Sequence, residues 1–183
     1  LWTREMIRVG EVREEECERI VVAIDPPATS GPEADACGIV VAGRRGREAV
    51  VLADLTIAQA SPLRWADRAI RAYRAFRADC IVAEVNQGGE MVKLVLAQVD
   101  GSVPVRSVHA TRGKWLRAEP VAALYAQGRV THRPGLSALE DEMCSFGGEV
   151  RHARGSPDRL DALVWALTEL MLETEFAPRI RTF

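Results

Sequence analysis

Four carboxylates in three separate stretches are the residues of this sequence best suited to chemistry. Asp25 ends the run Arg19-Ile-Val-Val-Ala-Ile-Asp25-Pro26, and Glu84 ends the run Cys80-Ile-Val-Ala-Glu84. Asp158 and Asp161 lie three apart in Ser156-Pro157-Asp158-Arg159-Leu160-Asp161-Ala162-Leu163. On a helix they would share one face at its N-terminal end. Each acid has an ordinary explanation when taken alone. Strand ends often carry solvated acids, and the helix dipole favours carboxylates in a first turn. Two strands that each deliver an acid, with a helix that delivers more, are instead suited to hard divalent cations, which prefer oxygen ligands.

The elements that must position these acids can be read from the pattern around them. The five apolar residues before Asp25 are β-branched or small, as a strand buried on both faces requires. Pro26 and Pro27 then end the ladder, because proline has no N–H to donate. An acid at the carboxyl end of such a strand lies where α/β folds place their ligands. Ile39 to Val41 and Glu48 to Leu55 read as two further strands, joined by the glycine-bearing hairpin Gly43-Arg44-Arg45-Gly46-Arg47. With the first strand they form an antiparallel meander. Ser61-Pro62 is a helix start, and Trp65, Ala69, Ala72, Tyr73 and Phe76 follow at helical spacing. After the strand ending at Glu84, Asn86-Gln87-Gly88-Gly89 is a turn and Met91 to Val99 a helix. Val103 to Val108 is a strand whose Pro104 suggests a sheet edge. Glu119-Pro120 to Gln127 predicts a helix closed by Gly128, and Leu136 to Phe146 another. The last helix starts at Ser156-Pro157 and runs to about Glu173. Leu160, Leu163, Val164, Leu167, Leu170 and Met171 form its apolar face. The order predicts an α/β domain with a mixed five-stranded sheet, its first three strands antiparallel and helices on both faces.

Length and composition narrow the class. With 183 residues and 48% hydrophobic content, the chain fits one domain with a sizeable core. The 24 basic and 26 acidic residues nearly cancel, so any surface for a polyanion must be local. Cys17, Cys37, Cys80 and Cys144 are far apart and form no CxxC pair, which argues against a zinc site and for a reducing, cytoplasmic setting. No apolar run is long enough to span a membrane, and no GxxxxGK[ST] phosphate-binding loop is present. The chain begins at Leu1, and residues 1–18 are rich in charge, including Glu14-Glu15-Glu16. They read as a linker or connecting helix from a preceding domain, with the main domain at 19–183.

Ala23-Ile-Asp25-Pro26, Ala83-Glu84-Val-Asn86-Gln-Gly88-Gly89 and Ser156-Pro-Asp158-Arg-Leu-Asp161-Ala-Leu-Val-Trp165 resemble the nuclease domain of tailed-phage terminase large subunits. So do Lys114-Trp-Leu-Arg117-Ala-Glu-Pro120-Val-Ala-Ala-Leu-Tyr125 and Leu139-Glu-Asp-Glu-Met143-Cys. The resemblance runs from about Arg19 to Leu172 and is nearest the branch that includes gene transfer agents. It implies an RNase H-like fold and a metal-dependent endonuclease that cuts double-stranded DNA during genome packaging. It also implies two Mg²⁺ or Mn²⁺ ions, a packaging ATPase domain earlier in the same chain, a small terminase subunit and a portal ring. Asp25 matches the first-strand acid, Glu84 the fourth-strand acid and Asp158 the helix acid of the family. Asp161 is the alternative helix acid, because related Holliday-junction resolvases use one just before Ala-Leu. Where the family often has His-Asp before these acids, this sequence has Ser156-Pro157, which bears on how the second ion is held. A resolvase or hybrid nuclease of the same fold is the alternative reading.

In that chemistry two ions roughly 3.5–4 Å apart activate a water and hold the charge that builds on the phosphate. Asp25 would bridge them, Glu84 would hold one, and Asp158 or Asp161 the other. Contacts to DNA must come from local basic clusters. The candidates are Arg44, Arg45 and Arg47 in the hairpin, Arg112, Lys114 and Arg117 after the fifth strand, and Arg151-His152-Ala153-Arg154 before the last helix. The glycines after Glu84 could admit a phosphate closely or simply make the turn. Trp65, Tyr73, Phe76 and Trp165 read as core. His109, His132 and His152 read as structural or surface, and Asp35, Asp54, Asp67 and Asp141 as surface or capping residues.

Overall fold

The computed structural model describes residues 1–27, 36–85, 89–147 and 156–172. The strands are β1 (Arg8–Val9), β2 (Arg19–Asp25), β3 (Gly38–Arg45), β4 (Glu48–Asp54), β5 (Cys80–Glu84), β6 (Val105–Val108) and β7 (Val130–His132). The helices are α1 (Pro62–Ala75), α2 (Gly89–Asp100), α3 (Lys114–Ala126), α4 (Ser137–Ser145) and α5 (Asp158–Leu167). The strands form one mixed sheet in the order β1-β7-β4-β3-β2-β5-β6. β2, β3 and β4 are antiparallel neighbours, whereas β5 runs parallel to β2 and β6 parallel to β5. The expected antiparallel meander and edge position of β6 are both present.

The period of two along the strands divides the core into two layers. Val21, Ala23, Val40, Ala42, Cys80 and Val82 face a cluster built with α3, α4 and α5. Ile20, Val22, Ile24, Ile39, Val41, Ile81 and Ala83 face a second cluster built with α1 and α2. Ile20 to Ile24 are all buried, at about 2 kcal/mol for each large aliphatic side chain removed from water. One irregularity breaks the alternation. Between Val41 and Ala42 the β3–β4 register shifts, so that Val41 pairs with Ala53 while Ala42 pairs with Val51. Leu52 is the extra residue of a β-bulge. Leu52 and Ala53 therefore both pack on the α1–α2 side.

Among the described residues seven strands replace the expected five. The additional ones, β1 and β7, have two and three residues, too few to show an alternating pattern. Residues 1–18 form two single 3₁₀ turns and β1 rather than a connecting helix. β1 pairs in parallel with β7 at the sheet edge, and Trp2 and Val12 are buried in the core. α3 begins at Lys114, five residues before the expected start, and carries Pro120 inside it. Proline there removes the helical donor to the Leu116 carbonyl, on a turn that faces solvent, and so interrupts little. Ser61 occupies the N-cap of α1 through its carbonyl, without the side-chain cap expected of it. The last helix is buried nearly all round instead of along one stripe, and it changes to π-helical geometry over Thr168–Leu172. Residue 35, the 86–88 part of the expected turn, the 151–154 basic cluster and the helix end at 173 lie outside the described residues.

Candidate functional site

Strand parity brings the acids together. Val21 and Ala23, and Cys80 and Val82, face α3–α5, so Asp25 and Glu84, two residues further on, face the same side. The parallel register pairs Ile24 with Ala83, which sets the two acids level at adjacent strand ends. α5 packs across β3 and β2 and brings Asp158 and Asp161 over them from above. Asp158 is 7% exposed and Asp161 4%.

This approach depends on Gly38. Gly38 is the partner of Asp25 in the β2–β3 ladder. A Cβ on Gly38 would lie 2.6 Å from the carbonyl carbon of Asp158 and nearer still to its oxygen. Its φ is not positive, so glycine is needed here for space and not for conformation. Two anchors fix the start of α5 from the side. The Leu160 N–H donates to Glu142 Oε1 of α4 at 2.9 Å. Arg159 donates through Nε to Asp54 Oδ2 at 2.9 Å and through Nη1 to Glu142 Oε2 at 3.4 Å. Asp54 reaches α5 because the bulge at Leu52 turns it to that face.

The acids are held against cations of the same chain. Lys114 Nζ donates to Asp161 Oδ2 at 2.5 Å and to Ser156 Oγ at 2.8 Å. The Arg117 guanidinium bridges Glu84 Oε2 at 3.3 Å and Asp161 Oδ1 at 3.5 Å. Its carbon lies 4.8 Å from the centre of the Trp165 ring. The Trp165 indole N–H donates to Glu84 Oε2 at 2.6 Å, a charge-assisted bond that fixes this carboxylate.

The electrostatics follow from this crowding. Burial, followed by the charges of Asp161 and Glu84, pushes the Asp25 carboxyl up to about 8, against the opposing pull of Lys114. Burial also raises Asp161, opposed mainly by Lys114 and then Arg117. The cluster carries more negative charge than the two cations offset. Its donors are all carboxylate oxygens, the set that fits Mg²⁺ or Mn²⁺. Among the described residues no three His, Cys, Asp or Glu side chains already converge in metal-holding geometry; cationic side chains bridge Glu84 and Asp161 instead.

The basic residues read from sequence separate into two groups. Lys114 and Arg117 are in the site, and exposed Arg112 precedes them in the loop after β6. Arg44, Arg45 and Arg47 are at the other end of the sheet. Arg19 pairs with Arg44 where Asp25 pairs with Gly38, so the hairpin lies roughly 20 Å from Asp25 along the strand. There Arg45 binds Glu16 and Glu48, and Arg44 faces Glu18. Residues that sequence reasoning missed are Gly38, Trp165, Glu142 and Arg159. Trp165 carried a usable signal, four residues after Asp161 and seven after Asp158 on the same helix face. His132 is structural: its ring contacts the Tyr125 hydroxyl at 2.7 Å and Glu140 at 3.1 Å in the buried layer.

The profile of the Terminase RNaseH-like domain family matches residues 22–170. No curated protein matches the sequence. Among solved structures, the human cytomegalovirus terminase nuclease domain superposes with a TM-score of 0.60 at 14% identity, covering 82% of each chain. The nuclease domain of the bacteriophage SPP1 large terminase, solved with bound Mn, gives 0.61 at 15% identity over 90% of this chain and 97% of that one. The large terminase of a thermophilic bacteriophage, in complex with ADP, gives 0.71 at 10% identity; the match covers 93% of this chain but 44% of that one. The fold is RNase H-like, a seven-stranded mixed sheet with helices on both faces.

Proposed function

Since the chain belongs to the Terminase RNaseH-like domain family, we propose that it is a metal-dependent endonuclease domain that cuts double-stranded DNA during genome packaging. The observation that carries this reading is the meeting of Asp25, Glu84, Asp158 and Asp161 on one face of the sheet, from three elements far apart in sequence. Asp25 and Glu84 would hold two Mg²⁺ or Mn²⁺ ions together with Asp158 and Asp161 from α5. Bound there, the ions would supply an activated water and hold the charge developing on the scissile phosphate.

The chain's own residues have definable parts. Asp25 sits where burial and neighbouring acids oppose ionisation, so a cation that replaces its proton is strongly favoured. Trp165 and Arg117 both donate to Glu84 Oε2 and so hold this carboxylate. Glu142, Arg159 and Asp54 set the start of α5 and hence the two helix acids. Arg112, exposed and two residues before Lys114, would meet a phosphate of the DNA backbone. Among the described residues nothing around the acids presents an element shaped to read bases, so cutting with little sequence preference is expected.

A packaging ATPase domain preceding this one in the same chain, a small terminase subunit and a portal ring would be its partners, in the cytoplasm. The ADP-bound large terminase of the thermophilic phage, of which this chain matches 44%, supports an additional domain. No helix among the described residues is long and apolar enough to cross a membrane. The test is nicking and linearisation of supercoiled plasmid in Mg²⁺, Mn²⁺ or EDTA, for the native protein and Asp25→Asn. Metal-dependent cutting that is lost in Asp25→Asn is the expected result. Cutting that survives EDTA or the substitution would refute the reading. A four-way junction cut in strong preference to linear duplex would favour a resolvase.

A further inference from the structure

Lys114 and Arg117 hold positions that their own helix disfavours. Lys114 is the first residue of α3 and Arg117 the fourth, and the first turn contains no acidic residue. Two cations there face the positive end of the helix dipole, which opposes them. Their compensation comes from the other side of the cleft, at Asp161 and Glu84. The two cations differ in how firmly they are held. The Arg117 side chain is 11% exposed, bridges two carboxylates and is stacked on Trp165. The Lys114 side chain is 44% exposed. It has a flexible stem, and its partners at the mouth of the site are Asp161 and the Ser156 hydroxyl.

We propose that Lys114 is a tethered cation that occupies the metal position at Asp161 in the metal-free domain and swings out when a divalent ion binds there. The proposal rests on the metal-binding reading of the acidic cluster and adds the state of the site before metal arrives. An ammonium 2.5 Å from Asp161 Oδ2 and a divalent ion on the same oxygen exclude each other by volume and by charge. Arg117 stays, because leaving would cost both its carboxylate contacts and the face of Trp165. Metal loading is therefore an exchange of one cation for another, and its affinity is set partly by the strength of the Lys114 pair. The arrangement keeps a crowded, largely buried set of acids partly neutralised when no metal is present.

The sequence makes this directly measurable, because Lys93 and Lys114 are its only lysines. Lys93 is exposed on α2 and serves as an internal reference. The native protein would be treated briefly with an amine-acetylating ester in EDTA or in Mg²⁺, and the two sites quantified by mass spectrometry. The expected result is a Lys114/Lys93 labelling ratio that rises about fivefold or more with Mg²⁺. Calorimetric Mg²⁺ binding to the native protein and to Asp25→Asn separates the two levels of the argument. If the native protein takes up no Mg²⁺, the metal-site reading and the proposal both fail. If it takes up Mg²⁺ through Asp25 while Lys114 stays protected, the proposal alone fails. Lys114→Met, which keeps the aliphatic stem, should bind Mg²⁺ about tenfold more tightly, the worth of an ion pair of intermediate burial. Equal or weaker affinity in that variant would overturn the exchange.

Discussion

Replacing Gly38 with alanine tests whether the fold itself sets the geometry of the acidic cluster. The added Cβ would lie 2.6 Å from the Asp158 carbonyl carbon, where ordinary contact begins at 3.4 Å. Relief therefore needs a displacement on the order of 1 Å, between two backbone segments that cannot rotate out of the way. β3 is an inner strand, paired on both sides, so the start of α5 must move, carrying Asp158 and Asp161 with it. Overpacking of this kind costs about 1–3 kcal/mol. A misplacement of about 1 Å in a catalytic constellation costs about 10²-fold in rate. Urea unfolding in EDTA should show the stability loss, and plasmid nicking in Mn²⁺ the loss of rate. The two need not scale, since the rate depends on ligand position and the stability on packing. An unfolding midpoint unchanged from the native protein, with nicking within about twofold, would show that α5 does not rest on Gly38 as described.

Three further outcomes are expected. The folded state raises the Asp25 carboxyl from 3.8 to about 8, so it binds that proton more tightly than the unfolded chain. The associated stability is complete below about 3.8 and is lost as pH rises through about 8. Urea midpoints in EDTA should fall across this window for the native protein and change less for Asp25→Asn; parallel profiles would contradict the assignment. Trp165→Phe removes the 2.6 Å bond to Glu84 while keeping most of the packing. It should cost about 1–3 kcal/mol of stability and weaken calorimetric Mg²⁺ binding, and a variant unchanged in both would show that the bond does not position Glu84. Arg112→Ala should lower the slope of log affinity for duplex DNA against log salt by about one. Alanine at Arg44, Arg45 and Arg47 together should leave that slope unchanged, because these residues lie at the far end of the sheet, and a larger effect from the hairpin would move the DNA path there.

What the sequence revealed of the site follows from the length and regularity of its elements. Asp25 and Glu84 stood out because each closes a continuous apolar strand, and the helix acids because they sit three apart before an apolar helix. The short strands β1 and β7 left no periodic trace, since their place is set by pairing with each other and with β4. The start of α3 was hidden because Pro120 suggests a first helical turn, yet an exposed second turn tolerates it. Sequence marked Lys114 and Arg117 as basic but could not show that their partners are the acids themselves, 33 to 47 residues away. Trp165 read as core and is core; its N–H on Glu84 depends on how α5 is rotated, which apolar spacing does not fix. Gly38 looked like any glycine at the start of a strand until the backbone of α5 was seen lying against it.

The bulge at Leu52 makes β4 sensitive to odd and even changes in length. Side chains on a strand alternate, so an inserted or deleted single residue reverses the facing of everything beyond it. Leu52 introduces one such reversal, and Asp54 meets Arg159 only because of it. Deletion of Leu52 itself would return β4 to regular pairing with Asp54 still opposite Val40 and facing α5, because the extra residue and the reversal it introduces leave together. Deletion of Leu52 and Ala53 together would place Asp54 directly after Val51 and so send it to the α1–α2 layer. In comparing or engineering this segment, the informative quantity is therefore the length of the gap between Val51 and Asp54 taken together with whether the bulge is kept, more than the identity of the residues that fill it.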